Sequence, residues 1–300
     1  MSSSEQLCDV GRGITLCYES FGEHGDPPVL LVMGLGMQMI AWHEDFCAEL
    51  AGRSLHVVRF DNRDAGRSSH MRGRPPTLAQ LAHRRFSPEQ YRLSDMAEDA
   101  AGLLRELELA PAHVVGASMG GMIAQMLAAA HPELVRSLVS IMSSTGSRRS
   151  GQPALALYRH VLHRAPSERS AYIEHSARLF GIIGSPGFPH DGAHVRELAG
   201  RSYDRDEDRV ATGRQLAAIL ASGDRTAELR RITAPTLVVH GAADRLVNPS
   251  GGRATARAVR DAELMVVEGM GHDLPRGAWP RIIDAIAAHA RRADGVAQAA

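Results

Sequence analysis

Cysteine is scarce in this chain of 300 residues, which has three, all within the first fifty positions. Cys8, Cys17 and Cys47 form no Cys-x-x-Cys pair and have no nearby residues at the spacing of zinc ligands. Neither a disulfide framework nor a zinc site is therefore predicted. Reduced thiols are typical of cytosolic proteins, and we expect a cytoplasmic location.

Long apolar runs and an excess of one charge are also missing. No apolar run approaches the roughly 18–20 residues that a membrane-spanning helix needs. The first residues lack the basic start and apolar core of a signal peptide. Thirty-four basic residues balance 34 acidic ones, so no global field attracts nucleic acid or an anionic membrane. We expect no nucleic-acid partner and no stable membrane anchor, while a homodimer stays open.

Short apolar runs rich in Val, Leu and Ile alternate along the chain with longer amphipathic stretches. After an antiparallel strand from Ile14, these runs predict buried strands at 28–34, 55–61, 112–118, 135–143, 235–241 and 262–269. Helical patterns lie at about 39–51, 94–109, 118–131, from 248 onwards and at 279–291. This alternation predicts an α/β fold with a mostly parallel, doubly wound sheet.

The segment from 144 to 231 breaks the rhythm, because it has helical stretches but no convincing buried strand. Within it, GIIGSPGFPHDG at 181–192 reads as a loop. A structureless stretch of that length is improbable inside a compact domain, so we interpret the segment as a helical insertion. The predicted core domain is 1–143 and 232–300, and 144–231 is a helical cap, or lid, over one edge of the sheet.

The stretch VVGASMGG places Ser118 between Gly116 and Gly120, where a predicted strand passes into a helix. Gly-x-Ser-x-Gly also arises by chance, and the plain alternative is that Ser118 caps the helix. Capping does not require glycine on both sides, whereas a nucleophile elbow does, because strand and helix would otherwise collide with the sharp turn. We therefore predict that Ser118 is a nucleophile.

A serine hydroxyl attacks only when a base takes its proton, so a histidine held by a carboxylate must accompany it. Of 15 histidines, His272 is the candidate, because it lies in a Gly-rich loop after the last strand; His131 and His240 are interpreted as structural. Asp244 follows the preceding strand and is the predicted acid, with a turn residue as its alternative role. Asp273 is unsuited, because adjacent side chains point apart.

The first strand–helix junction, LLVMGLGMQM, has glycines that let a backbone amide approach a ligand. We expect the amides of Leu35 and Met119 to form an oxyanion hole. A dinucleotide-binding fingerprint starting at Gly34 fails, because the third glycine and the acidic ribose ligand are missing. No P-loop, HExxH motif or paired-cysteine metal site occurs, so neither a metal nor an organic cofactor is predicted.

Four stretches resemble the elbow, post-strand turn, acid loop and histidine loop of the α/β-hydrolase superfamily: VVGASMGG, RFDNRDAGRSS, PTLVVHGAADRLV and GMGHDLP. Within it, Met33-Gly34 in place of the common His-Gly is similar to mycobacterial LipG-type lipase/esterases and aclacinomycin methylesterases. IIGSPGFP resembles the LipG-type group in particular. The resemblance implies a serine carboxylesterase that forms an acyl-enzyme, and a structural role for the Asp61-Asn62-Arg63 turn. We expect the substrates to be small to medium acyl esters.

The inserted segment is expected to roof the substrate pocket with five apolar side chains, which suit its own core equally well: Leu179, Phe180, Ile182, Ile183 and Phe188. Other chemistry of the superfamily stays open, namely methyl ester hydrolysis of a secondary metabolite, perhydrolysis, acyl transfer or carbon–carbon bond hydrolysis. A serine at the elbow argues against an aspartate nucleophile. A non-catalytic ligand-binding protein on a hydrolase fold is the alternative from another class.

Overall fold

The computed structural model describes residues 4–73, 75–157, 166–208 and 210–299. Its centre is an eight-stranded sheet. The strands are Gln6–Asp9, Thr15–Phe21, Pro28–Val32, His56–Phe60, Ala112–Ala117, Val135–Ile141, Thr236–Gly241 and Glu263–Val267, numbered β1 to β8 in chain order. They lie side by side in the order β1-β2-β4-β3-β5-β6-β7-β8. β1 pairs antiparallel with β2, and β2 with β4, whereas every pairing from β4 to β8 is parallel. The predicted mostly parallel sheet is confirmed.

Helices cover the sheet and form the segment between β6 and β7. In chain order, α1 to α10 are Glu44–Ala51, Leu78–His83, Leu93–Glu106, Met119–Ala130, Arg169–Ile183, Gly192–Arg205, Ala211–Ser222, Thr226–Leu229, Ser250–Ala258 and Trp279–Ala299. No helix among the described residues is long and apolar enough to cross a membrane.

Alternate side chains of the parallel strands pack into two hydrophobic cores, one on each face of the sheet. Leu30 and Val32 of β3 pack with α3 and α4. Val29 and Leu31 of the same strand pack with α1 and α10 on the other face. Successive side chains of a strand point to opposite faces, so a strand buried on both sides needs a continuous apolar run. Each such buried side chain contributes about 1.5–3 kcal/mol.

The predicted helix at 39–51 is wrong as a single element. A one-turn 3-10 helix at Met39–Ala41 is followed by extended backbone at Trp42, and α1 begins at Glu44. Two contacts explain the break. The carbonyl of Trp42 accepts a hydrogen bond from the buried guanidinium of Arg59. The imidazole of His43 accepts from the amide of Asp45 (3.0 Å) and so caps α1.

Other departures from the predicted elements lie at exposed or terminal positions. β1 and α2 were not predicted, and β1 is four residues long with three of them exposed. β8 is not a fully buried strand, because Glu263 and Leu264 are exposed at the edge of the sheet. α5 continues through Ile183, beyond the predicted loop start at 181, and α10 extends past 291 to Ala299.

The described part of 144–231 contains one turn of 3-10 helix, α5 to α8, and no strand. The two ends of this inserted segment are joined where it leaves and re-enters the core. The buried guanidinium of Arg225 donates to the carbonyl of Ser144 (2.7 Å). The backbone amide of Arg225 donates to the carbonyl of Thr145 (2.8 Å). The segment thus leaves the sheet just after β6, at the carboxyl edge of the parallel strands.

Candidate active site

Ser118 occupies a strained turn between β5 and α4. Its backbone has φ 56° and ψ −118°, a conformation that residues other than glycine rarely adopt. A Cβ at Gly116 would lie 2.2 Å from the carbonyl oxygen of Gly120, and one at Gly120 would lie 2.0 Å from that of Val32. The flanking glycines therefore allow β5, α4 and β3 to meet backbone to backbone. The Ser118 side chain makes no capping hydrogen bond to α4, so the helix-cap alternative does not describe its position.

Three side chains that are far apart in sequence form a hydrogen-bonded chain at this edge of the sheet. The hydroxyl of Ser118 lies 3.0 Å from Nε2 of His272. Nδ1 of His272 lies 2.8 Å from Oδ2 of Asp244. His272 and Asp244 are both buried, whereas Ser118 is partly accessible. An ionised carboxylate only accepts hydrogen bonds, so His272 carries its proton on Nδ1 and presents a lone pair to the hydroxyl.

Asp244 is held in its ionised form. Burial alone raises the pKa of Asp244, but the electrostatic interactions with His272 and His240 and the hydrogen bond from His272 outweigh it and lower that pKa to about 2. Oδ1 accepts the amides of Leu246 and Val247, each at 2.9 Å. The carboxylate is therefore fixed by its own loop as well as by the imidazole.

His240 is a second buried imidazole beside this carboxylate. Its Nε2 donates to the carbonyl of Val247 (2.8 Å) and lies 3.4 Å from Oδ2 of Asp244. The structural interpretation of His240 thus missed its contact with the predicted acid. The available signal was the spacing in VVHGAAD, where His240 precedes Asp244 by four residues across a turn.

Asp273 points away from His272 and toward the inserted segment. It accepts a short hydrogen bond from the hydroxyl of Ser185, and its side chain is half-buried. Burial raises the pKa of Asp273, although the Ser185 hydrogen bond and the charge of His272 act the other way. The carboxylate at hydrogen-bond distance from Nδ1 of His272 is that of Asp244.

The loop after β3 lies against the nucleophile turn. A Cβ at Gly34 would lie 3.2 Å from the Cβ of Ser118. Among the backbone hydrogen bonds that the described residues make outside their helices and strands, none is donated by the amide of Leu35 or Met119. The next amide, that of Gly36, donates to the side chain of Gln215 on α7 (2.8 Å). The oxyanion hole predicted at Leu35 and Met119 needs two amides that can donate to a substrate oxygen.

The Asp61-Asn62-Arg63 turn forms hydrogen bonds with the loop after β3. Asp61 accepts the amide of Met39 (2.6 Å), and Asn62 donates to the carbonyl of Met33 (2.8 Å). Arg205 of α6 forms a buried ion pair with Asp61 (2.9 Å). The turn therefore links the β3 loop to the inserted segment, a connection that sequence reasoning did not find because its partners lie over 140 residues apart.

The five apolar residues predicted to line the pocket lie in different surroundings. Leu179, Phe180 and Ile182 are partly buried along α5, whereas Ile183 is buried at its end. Phe188 packs against the core that contains Trp279, and a Cβ at Gly277 would lie 2.8 Å from its ring. Ile183 thus has the burial of a core side chain, whereas Phe188 is partly buried at the edge of that core.

One group among the described residues has the spacing of metal ligands: Asp64, His70 and Asp208, whose ligand atoms lie within 4.8 Å of one another. Arg214 of α7 donates to Asp64 (2.6 Å) and to Asp208 (2.5 Å). Because the Arg214 guanidinium already pairs with both carboxylates, we interpret the group as an ion cluster that joins α7 to the turn after β4.

Comparisons with known proteins match this architecture. A family model described as alpha/beta hydrolase fold matches residues 27–275. Rhodomycin D methylesterase of Streptomyces peucetius is 27% identical over 303 residues, which cover 93% of this chain and 96% of that protein.

Two solved structures share the fold. An esterase from Rhodococcus sp. ECU1013 superposes with a TM-score of 0.76 at 19% identity, covering 96% of this chain and 99% of that one. A 2-hydroxy-6-oxo-6-phenylhexa-2,4-dienoate hydrolase from Rhodococcus sp. strain RHA1 also reaches 0.76, at 20% identity and 96% and 98% coverage. At these identities the likeness concerns the fold alone.

Proposed function

The chain belongs to the α/β-hydrolase family, and on that premise we propose that it hydrolyses carboxylic esters through an acyl-enzyme on Ser118. The observation that carries the proposal is the continuous hydrogen-bonded chain from Ser118 through His272 to Asp244 at a strained strand–helix turn. A hydroxyl, a base and an orienting carboxylate in this arrangement are what nucleophilic acyl transfer needs.

In the proposed reaction, Nε2 of His272 takes the hydroxyl proton as Oγ of Ser118 attacks the ester carbonyl. The amides of Leu35 and Met119 donate hydrogen bonds to the oxyanion of the tetrahedral intermediate. His272 returns the proton to the departing alcohol, which leaves Ser118 acylated. Water then attacks the acyl carbonyl with His272 again as the base, and the free acid departs. No metal or organic cofactor is needed for any of these steps.

Methyl esters are the narrower substrate class that we propose. The support is the 27% identity to a rhodomycin D methylesterase over nearly the whole of both chains. A methyl ester places a small alcohol on one side of the reacting carbonyl and leaves the acid side free to vary. The inserted segment at 144–231 is the proposed cap over that acid side, because it leaves the core just after β6 beside Ser118.

Hydrolysis of p-nitrophenyl esters, methyl esters and thioesters tests the proposal. The purified protein should turn over at least one class, and Ser118→Ala should lower kcat by about 10⁶-fold while keeping the fold, since triad members act as a unit. A matched control is Ser222→Ala, a partly buried serine of α7 whose hydroxyl bonds backbone groups away from the site. A folded Ser118→Ala variant with near wild-type turnover would exclude the assignment.

Covalent labelling gives a second, independent reading. A fluorophosphonate reagent should add one adduct, on the peptide that contains Ser118, and should abolish turnover. Ester hydrolysis should persist in EDTA. A chelator-sensitive activity, or an adduct on another serine, would contradict the mechanism. Absence of turnover on all ester classes, with no labelling of Ser118, would favour the ligand-binding alternative.

A further inference from the structure

The loop after α5 touches the loop that carries His272 backbone to backbone. We call residues 183–187 the SPG loop and residues 269–273 the histidine loop. A Cβ at Gly271 would lie 2.2 Å from the carbonyl oxygen of Gly184, and one at Gly187 would lie 2.5 Å from the Cα of Gly269. The glycines of the histidine loop therefore allow close packing against the inserted segment, in addition to giving the chain freedom to turn.

Four hydrogen bonds connect these two loops. The amide of His272 donates to the carbonyl of Ile183 (2.8 Å), and the amide of Gly187 donates to that of Gly269 (2.9 Å). The other two pass through one side chain: the hydroxyl of Ser185 accepts the amide of Gly271 (2.8 Å) and donates to the carboxylate of Asp273. Ser185 thus holds the residues immediately before and after His272.

We propose that Ser185 is a positioning residue for His272, so that the inserted segment sets the geometry of the base as well as covering the site. This inference rests on the proposed function, because it gives His272 the role of base. Its physical reason is that His272 must keep Nε2 near the Ser118 hydroxyl and Nδ1 near Asp244 at once. A loop rich in glycine does not fix that orientation by itself.

The test compares Ser185→Ala with Ser222→Ala. Ser222 is a matched control, because its hydroxyl also accepts a backbone amide, that of Leu93 (2.9 Å), and donates to an oxygen, that of Ala218 (2.7 Å). Both serines are partly buried in the inserted segment. Because each hydroxyl makes two hydrogen bonds, the two variants should lose similar amounts of stability. They should differ in activity, because of the two serines it is Ser185 that contacts the histidine loop.

We expect Ser185→Ala to lower kcat on a p-nitrophenyl ester by about 10- to 100-fold, since small displacements of a catalytic group cost that much. KM should change by less than about twofold, and Ser222→Ala should stay within about twofold of wild type in both constants. The rate at which a fluorophosphonate labels Ser118 should fall in parallel with kcat, because that single step also needs the base. Ser185→Thr keeps the hydroxyl and should recover most of the labelling rate.

Ser185→Cys covers the case in which the alanine variant does not fold. It nearly preserves the side-chain volume but has a weak S–H donor, so its kcat should lie between those of wild type and the alanine variant. Labelling and turnover of Ser185→Ala or Ser185→Cys equal to those of Ser222→Ala would overturn the inference while leaving the proposed function intact. A wild-type protein with neither turnover nor Ser118 labelling would overturn both.

Discussion

At the scale of single residues, the hydrogen bonds distinguish Asp244, which contacts the imidazole of His272, from Asp273, which is only adjacent to His272 in the chain. Both oxygens of Asp244 are occupied, Oδ1 by two backbone amides and Oδ2 by His272. The neighbouring Asp273 contacts Ser185 instead. Sequence reasoning predicted this distinction because adjacent side chains diverge. It did not find the contact of His240 with Asp244, although the four-residue spacing was a signal, nor Ser185, whose contacts lie 86 and 88 residues away.

The first prediction concerns Asp244→Asn. It should lower kcat by about 10⁴-fold with the fold retained, because the amide stabilises the wrong imidazole tautomer and not the imidazolium. Asp273→Asn is the comparison, since asparagine still offers Ser185 an oxygen acceptor, and its kcat should fall far less. Steady-state kinetics on a p-nitrophenyl ester measure both. A severe loss in Asp273→Asn with mild loss in Asp244→Asn would mean that the wrong acid is assigned.

The second prediction follows from the pKa of Asp244, which is lowered from 3.8 to about 2. A carboxyl group whose pKa is lower in the folded state stabilises that state above its unfolded pKa, and this stability is lost as the pH falls through the folded pKa. The contribution of Asp244 is therefore complete above about pH 5 and declines toward pH 2, by about 2 kcal/mol in all.

Urea unfolding of the wild type and of Asp244→Asn across this range measures the effect. The difference in unfolding free energy between the two proteins should shrink as the pH falls, because asparagine does not titrate. A difference that stays constant from neutral pH down to the acid end would show that the folded state does not favour the ionised form of Asp244.

At the scale of elements, the sequence predicts what local apolar runs determine and misses what tertiary contacts determine. The central strands β3 to β7 lie within about two residues of their predicted bounds, as expected for buried parallel strands. The break at Trp42 was missed because it depends on Arg59, which is distant in sequence. β1 was missed because it is a short strand at the edge of the sheet, with three of its four residues exposed, and so contains no apolar run.

The third prediction tests how one element, α7, supports the loop after β3. Gln215 is fully buried, accepts the amide of Gly36 (2.8 Å) and donates to the carbonyl of Arg63 (2.8 Å). Gln215→Met removes both bonds and leaves Gly36 without an acceptor, at a cost of about 1–3 kcal/mol in stability. Because the neighbouring amide of Leu35 is the proposed oxyanion donor, kcat should fall by about tenfold or more.

Gln125→Met is the matched control for that change. Gln125 is equally buried, on α4, and its amide donates to the hydroxyl of Ser140 (3.0 Å) inside the core. It should lower the melting temperature without a comparable loss of kcat. Equal loss of kcat in both variants would indicate a general effect of loosening the core, and no loss in Gln215→Met would mean that the loop keeps its shape unaided.

At the scale of the whole molecule, the inserted segment contacts three loops of the core. Helix α6 reaches the turn after β4 through Arg205 and Asp61, α7 reaches the loop after β3 through Gln215, and the SPG loop reaches the histidine loop. These contacts connect the inserted segment to the loops of the core that carry or support the candidate site residues. Local patterns locate such a segment but do not reveal contacts that bridge it to loops far away in the chain.

The last prediction concerns selectivity for the acyl chain. Each methylene that the pocket accommodates should contribute up to about 0.8 kcal/mol, or about fourfold in kcat/KM. Along a series of p-nitrophenyl esters, kcat/KM should therefore rise and then fall once the pocket is full. Phe180→Ala, at a partly buried position on α5, should move the optimum toward longer chains while the protein stays folded.

Ile183→Ala is the contrasting variant, because Ile183 is 5% exposed and its carbonyl holds His272. It should destabilise the fold by about 2–5 kcal/mol, as loss of a buried side chain does, and lower activity on every ester without moving the optimum. The two variants thus separate a side chain that selects substrates from one that packs the segment. If Phe180→Ala leaves the chain-length profile unchanged, the roof over the acyl chain is built from other residues of the inserted segment.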